Sequence, residues 1–175
     1  MKQLLVLRHA KSSWDDPDLE DIERPLAKRG RRDAPAMGRA LHARGIEADS
    51  VLCSDAQRTR ETWSLLAPEW LTDGPLPIEV TRTLYMASAK RLLQLCRETE
   101  EPIQRLMLIG HNPGLHELCL RLCGTARDPK ELTQLRSKLP TAAFLLLSFP
   151  MDNWAMLEEA TGRLELFLRP RDLED

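Results

Sequence analysis

Two hydrophobic regimes alternate along the chain. Short continuous apolar runs at Gln3–Leu7, Ser50–Cys53, Ile78–Leu84, Arg105–Ile109 and Ala143–Phe149 read as strands, the first as one buried on both faces. Between them, apolar residues recur at helical spacing. Lys28–Arg44 carries Ala34, Met37 and Leu41 on one face, with Gly45 as its stop. Ala56–Leu66 reads as a helix ended by Pro68. Ala89–Arg97 places Ala89, Leu92, Leu93 and Cys96 together. Leu115, Leu118, Cys119 and Leu122 keep the i, i+3, i+4, i+7 pattern. Arg163–Leu168 alternates polar and apolar residues, as a half-exposed edge strand does. Two stretches, Lys11–Leu26 and Trp70–Pro77, hold prolines and read as loops.

Alternating strands and helices predict a three-layer α/β/α sandwich whose sheet is mostly parallel, with an antiparallel edge strand. No internal repeat or linker interrupts the pattern, so residues 1–175 are expected to form one domain. In such sheets ligands bind beyond the carboxyl ends of the strands. After Leu7 come Arg8 and His9. After Cys53 come Ser54 and, four residues on, Arg58. After Ile109 come Gly110, His111 and Asn112. Guanidinium groups match phosphate oxygens, and Gly110 and Gly114 flank a segment whose backbone amides open a helix toward an anion. A pocket of two arginines, two histidines and helix amides would hold a phosphoryl group. One imidazole would attack phosphorus and the other would stabilise the charge. Either histidine alone is more often a hydrogen-bonded structural residue, and Arg58 alone an ordinary helix charge paired with Glu61. Their coincidence at one edge of one sheet is the signal.

Composition adds limits. The balance of 25 Lys+Arg against 27 Asp+Glu argues against a globally basic nucleic-acid binder, while leaving room for a local basic pocket. With 42% apolar residues the chain has the means for a core, yet no run approaches the roughly 18–20 residues of a membrane span. The N-terminal apolar stretch is too short for an export signal, so a reducing cytoplasm is expected. Cys119 and Cys123 fall in a predicted helix as packing residues. A zinc site built on them with His116 is disfavoured because the ligand pairs are poorly separated. The other two histidines carry less. His116 reads as a surface residue, and His42 sits near a helix C-terminus. Lys28, Arg29, Arg31 and Arg32 read as a solvated face, and Trp14 as either a loop residue or a lip of the site.

The blocks LVLRHAKSSW, SDAQRTRET and LIGHNPG together resemble the histidine phosphatase superfamily, with its phosphoglycerate-mutase-like fold. RHAKSSWDD, ERPLAKRG, GHNPGL and LPTAA are most similar to small phosphohistidine phosphatases of the SixA type, and the match runs from Gln3 to about Phe149. The resemblance implies that His9 is the nucleophile. Arg8, Arg58 and His111 would hold the phosphoryl group, with no metal or cofactor. Ser54 would shape a turn and Asn112 would be structural.

One departure is informative. Many members carry a glutamate after the third strand as proton donor to the leaving oxygen; here Tyr85 follows Leu84. Asp15, Asp16 and Glu20 in the loop after His9 are candidate replacements, although a solvated acidic loop is the plainer reading. A phosphoramidate needs less acid help than an ester. The expected substrate is therefore phosphohistidine on a phosphorelay or phosphotransfer protein, met by a monomer with an uncovered site. The alternatives are a small-molecule phosphomonoesterase or pyrophosphate hydrolase, and a non-catalytic phosphoprotein-binding module.

Overall fold

A computed structural model describes residues 1–174. The strands are β1 (Lys2–Arg8), β2 (Ser50–Ser54), β3 (Ile78–Thr81), β4 (Arg105–Gly110), β5 (Cys123–Ala126), β6 (Phe144–Phe149) and β7 (Gly162–Leu168). The helices are α1 (Lys28–Ala43), α2 (Gln57–Trp70), α3 (Ala89–Arg97), α4 (Gly114–Leu122) and α5 (Pro129–Ser137). All seven strands join one sheet in the order β3-β2-β4-β1-β6-β7-β5. Successive residues of the central strands point to opposite faces, so each strand feeds two cores. Leu4, Val6, Leu106 and Leu108 meet α3, α4 and α5 on one face. Leu5, Leu7, Met107 and Ile109 meet α1 and α2 on the other. The result is the expected α/β/α sandwich. No helix among the described residues is long and apolar enough to cross a membrane.

Register positions the site. Arg8 pairs with Gly110 across the parallel β1–β4 ladder, and Cys53 pairs with Ile109 across β2–β4. The chain ends of β1, β4 and β2 therefore reach the same level. The next residues, His9 and His111, leave neighbouring strands side by side.

Several boundaries differ from expectation. The antiparallel strand is β6, which lies inside the sheet between β1 and β7, and β5 takes the edge. An apolar strand buried on both faces reads the same in either direction, so its orientation was not legible. α2 continues past Pro68 to Trp70, whose buried indole donates from Nε1 to the Ile46 carbonyl at 2.7 Å and anchors the extra turn. β3 ends at Thr81. Residues Arg82–Leu84 form a 3-10 turn capped by the Thr81 hydroxyl, which buries Leu84. α4 stops at Leu122, and Cys123 opens β5 instead of extending the helix. Neither β5 nor α5 was expected. α5 nonetheless carries a readable start, with Asp128 accepting from the Lys130 amide and Pro129 in the first turn.

Candidate active site

Two imidazoles face each other at the carboxyl end of the sheet, His9 after β1 and His111 after β4, with ring centroids 5.3 Å apart. His9, Arg58 and His111 are 7, 4 and 3% exposed, so the four expected side chains, with half-buried Arg8, form a mostly desolvated cluster.

Backbone bonds from three elements fix His9. Its amide donates to the Gly110 carbonyl at 3.1 Å, and its carbonyl accepts from Ala142 at 3.0 Å. Ala142 holds φ at 59°, left-handed backbone that is costly for a residue with a side chain. The next amide, Ala10, donates to the Thr62 hydroxyl at 2.9 Å, and that hydroxyl donates to the Arg58 carbonyl at 2.7 Å. Thr62 thus ties the loop after His9 to the turn of α2 that carries Arg58. It lay within the SDAQRTRET block, but nothing in the spacing singled it out.

Hydrogen bonding sets both tautomers. His9 Nδ1 lies 2.8 Å from the Ala10 carbonyl, which can only accept, so Nδ1 carries the proton and Nε2 keeps its lone pair. His111 Nε2 lies 2.7 Å from the Ser54 hydroxyl, which already accepts from the Ala56 amide. Among the described residues that hydroxyl has no other acceptor, so it donates to Nε2 and leaves Nδ1 as an N–H. Among the described residues, His111 Nδ1 and Arg8 Nε are both buried with no hydrogen-bond partner. Burial pushes His9 down to about 3 and His111 to about 4, with Arg58 and Arg8 adding repulsion to both. Both rings are therefore neutral at neutral pH. Burial and the neighbouring Arg58 also lower Arg8. Two guanidiniums held this close, with donors left over, form an anion-seeking site.

The outer parts depart from expectation. Arg8 Nη1 and Asn112 Nδ2 both donate to the Leu139 carbonyl, at 3.0 and 2.9 Å, which gives Asn112 a structural place. Gly114 meets a close packing demand. A Cβ there would stand 1.9 Å from the Ala87 carbonyl oxygen, so the glycine lets α4 pack against that loop. Asp15, Asp16 and Glu20 make no ion pair or hydrogen bond with the four pocket side chains among the described residues. The acid that reaches the pocket is Asp21, which sequence reasoning passed over. Its Oδ2 accepts from Arg58 Nη2 at 3.0 Å and from the Tyr85 hydroxyl at 2.5 Å, and its Oδ1 accepts from Arg24 Nη1 at 3.2 Å. Tyr85 packs edge-on to His111 at 5.5 Å. Trp14 is exposed and stacks 3.0 Å over the Arg24 guanidinium, one residue out from Asp21 at the rim.

The remaining histidines and the cysteines serve packing. His116 is half-buried and donates from Nε2 to the Leu135 carbonyl at 2.6 Å, joining α4 to α5 instead of facing solvent. All four cysteines are free thiols, and burial pushes Cys53 and Cys96 up to about 12. No group of three or more His, Cys, Asp or Glu among the described residues gathers as metal ligands.

Known proteins share this arrangement of elements. A protein solved from Agrobacterium tumefaciens and assigned to the phosphohistidine phosphatase SixA type is 26% identical, with TM-score 0.78 over 97% of this chain and 99% of that one. The protein histidine phosphatase SixA solved with tungstate is 20% identical, with TM-score 0.76 over 98% and 99%. An uncharacterised protein of Mycobacterium tuberculosis is 30% identical over 166 residues, covering 94% of this chain and all of the relative. The model of the histidine phosphatase superfamily (branch 1) matches residues 4–85, the segment that brings Arg8, His9 and Arg58 together. The superfamily model over residues 4–85, together with the 26% identical SixA-type neighbour aligned over nearly the whole of both chains, places the chain in the histidine phosphatase superfamily.

Proposed function

We propose that this protein is a phosphatase that passes the phosphoryl group through His9, and that its substrate is phosphohistidine on a phosphorelay or phosphotransfer protein. The observation that carries this reading is a free imidazole nitrogen, His9 Nε2, beside two buried donors without protein acceptors, Arg8 Nε and His111 Nδ1. Nε2 attacks phosphorus, while Arg8, Arg58 and His111 donate to the phosphoryl oxygens as charge develops. Water then attacks the phosphohistidine and frees His9. No step calls for a metal ion, so activity is expected to persist after exhaustive chelation.

The substrate choice rests on what stands where a proton donor is usually found. Burial and the bond to Asp21 raise the Tyr85 hydroxyl, making it a weaker acid than usual. Asp21 is a carboxylate held in its charged form. An alkoxide leaves poorly from such a site, whereas imidazole leaves without help from a strong acid. Because His9 is held near 3, its attacking form persists well into acid, and the acid limb of activity belongs below about pH 5, not near the ordinary histidine range.

Rapid quench after mixing with a radiolabelled phosphodonor is the direct test. Acid-labile, base-stable label is expected on the wild type and not on His9→Ala. No label on the wild type would overturn covalent catalysis. In a side-by-side panel, faster turnover of ordinary phosphomonoesters or pyrophosphate than of phosphohistidine protein would move the assignment to a small-molecule phosphatase. Binding of a phosphoprotein with no turnover of anything would make the chain a binding module.

A further inference from the structure

Asp21 is the one half-exposed carboxylate in contact with the pocket among the described residues; its side chain is 47% exposed while its Arg58 partner is buried. Oδ2 accepts from Arg58 and Tyr85, whereas among the described residues Oδ1 accepts from Arg24 alone, which leaves acceptor capacity on a half-exposed side chain. Asp55, the other carboxylate near His111, differs. Its Oδ2 is taken by Arg82 and its Oδ1 is closed off from solvent.

We propose that Asp21 determines specificity by accepting a hydrogen bond from the ring N–H of an imidazole leaving group. The inference rests on the phosphohistidine reading above and deepens it. In an in-line displacement the leaving atom stands opposite the attacking one. His9 is buried and Asp21 is half-exposed, so a group leaving opposite Nε2 departs toward the exposed side of the pocket, the side that carries Asp21. In the reactive substrate the nitrogen remote from phosphorus carries a proton. The His9 Nε2 lone pair forms the new N–P bond, and the old P–N bond breaks with its electron pair returning to the substrate nitrogen. The remote nitrogen keeps its proton, so the group leaves as neutral imidazole and the enzyme supplies no proton. Asp21 stays ionised throughout and favours the protonated ring.

The groups facing Asp21 fit that role. Arg24 lies on its own turn, Arg58 comes from α2, Tyr85 follows β3, and His111 stands behind Tyr85. Partial burial works against the charge, but hydrogen bonds from Tyr85 and Arg58 outweigh it and hold the carboxyl below its usual range. An ionised Asp21 is an acceptor and not an acid. The same charge repels a leaving group that carries a second phosphate or a carboxylate.

The test compares phosphoimidazole with p-nitrophenyl phosphate, whose leaving group needs no proton, using the full chain and its Asp21→Asn and Asp21→Glu variants. In Asp21→Asn the ratio of kcat/KM for phosphoimidazole over p-nitrophenyl phosphate is expected to fall about 10- to 30-fold, the loss when a charge-assisted hydrogen bond becomes a neutral one. The alkaline limb of the phosphoimidazole profile should move to lower pH, and Asp21→Glu should recover part of the ratio. An unchanged ratio and an unmoved limb, whatever the absolute loss, would mean that Asp21 only orients Arg58, and would overturn the proposal alone. Wild-type enzyme that cleaves p-nitrophenyl phosphate but not phosphoimidazole would overturn the phosphohistidine reading, and this inference with it.

Discussion

Burying two neutral histidines against two arginines makes the fold acid-sensitive in a definite window. An unfolded histidine titrates near 6.5, whereas His9 and His111 are held to about 3 and about 4. Below pH 6.5 the unfolded chain takes up protons that the folded chain refuses. The histidine contribution is therefore fully present above the unfolded value, and it declines as pH falls toward the folded ones. Going from about pH 7 to about pH 5 protonates nearly all of each unfolded imidazole and little of either folded one. That is worth about 2 kcal/mol per histidine, and about 4 kcal/mol for the pair if they act independently. The carboxylates Asp21, Asp49 and Asp172 are held low, so their contributions fade at lower pH still. Urea unfolding at the two pH values, on the wild type and on a His9→Asn/His111→Gln double variant, isolates the effect. Asn Nδ2 can replace the bond from His9 Nδ1 to the Ala10 carbonyl, and a Gln amide can meet the Ser54 hydroxyl, so both substitutions keep neutral hydrogen-bonding groups. The wild type should lose about 2–4 kcal/mol more than the double variant on acidification. Equal losses would refute the claim that these two rings are held neutral.

Three further outcomes follow from the geometry. Ser54→Ala removes the hydroxyl 2.7 Å from His111 Nε2 and frees that ring's tautomer, so kcat should fall about tenfold or more with the fold retained by circular dichroism. Gly114→Ala places a methyl group 1.9 Å from the Ala87 carbonyl oxygen, and calorimetry should show a Tm lower by at least about 3 °C, as overpacking of about 1–3 kcal/mol implies. Inorganic phosphate at about 100 times its Kd should stabilise the wild type by about 2.7 kcal/mol, and chloride of equal ionic strength should not; Arg58→Leu should abolish the difference.

Much of this arrangement was legible because strand ends in a parallel sheet are legible. Leu4–Leu7 and Leu106–Ile109 are apolar enough to be placed inside, and the residues after them then had to share an edge. The neighbouring acids could not be told apart. Asp15, Asp16, Glu20 and Asp21 have the same composition in the same loop, and only its folded path brings one of them to Arg58. That path depends on Arg24, which is buried and donates to the Ser12 hydroxyl and the Ser13 carbonyl. An arginine in ERPL gives no local sign of being a strut. β5 escaped notice because four residues with two small side chains carry no period, and Cys123 extended the apolar series of α4.

The site's preference follows from where its charges are balanced and where they are not. On the inner side Arg8 and Arg58 face neutral imidazoles, and Arg8 Nε and His111 Nδ1 have nothing to donate to. Those donors would suit an anion, and the proposed phosphoryl group is one that they could hold. On the outer side Asp21 offsets one of the two positive charges of Arg58 and Arg24, and a second negative group arriving beside it would meet a carboxylate. A leaving group that carries its own negative charge is expected to be disfavoured by the same contact that tolerates a ring bearing a proton. The substitution of Tyr85 for an acidic residue belongs to this balance. A glutamate in its place would crowd a second carboxylate against Asp21, whereas the tyrosine hydroxyl donates to it at 2.5 Å and keeps it charged. Acid catalysis and an ionised Asp21 are therefore alternatives at this position, and the chain has the residues for the second.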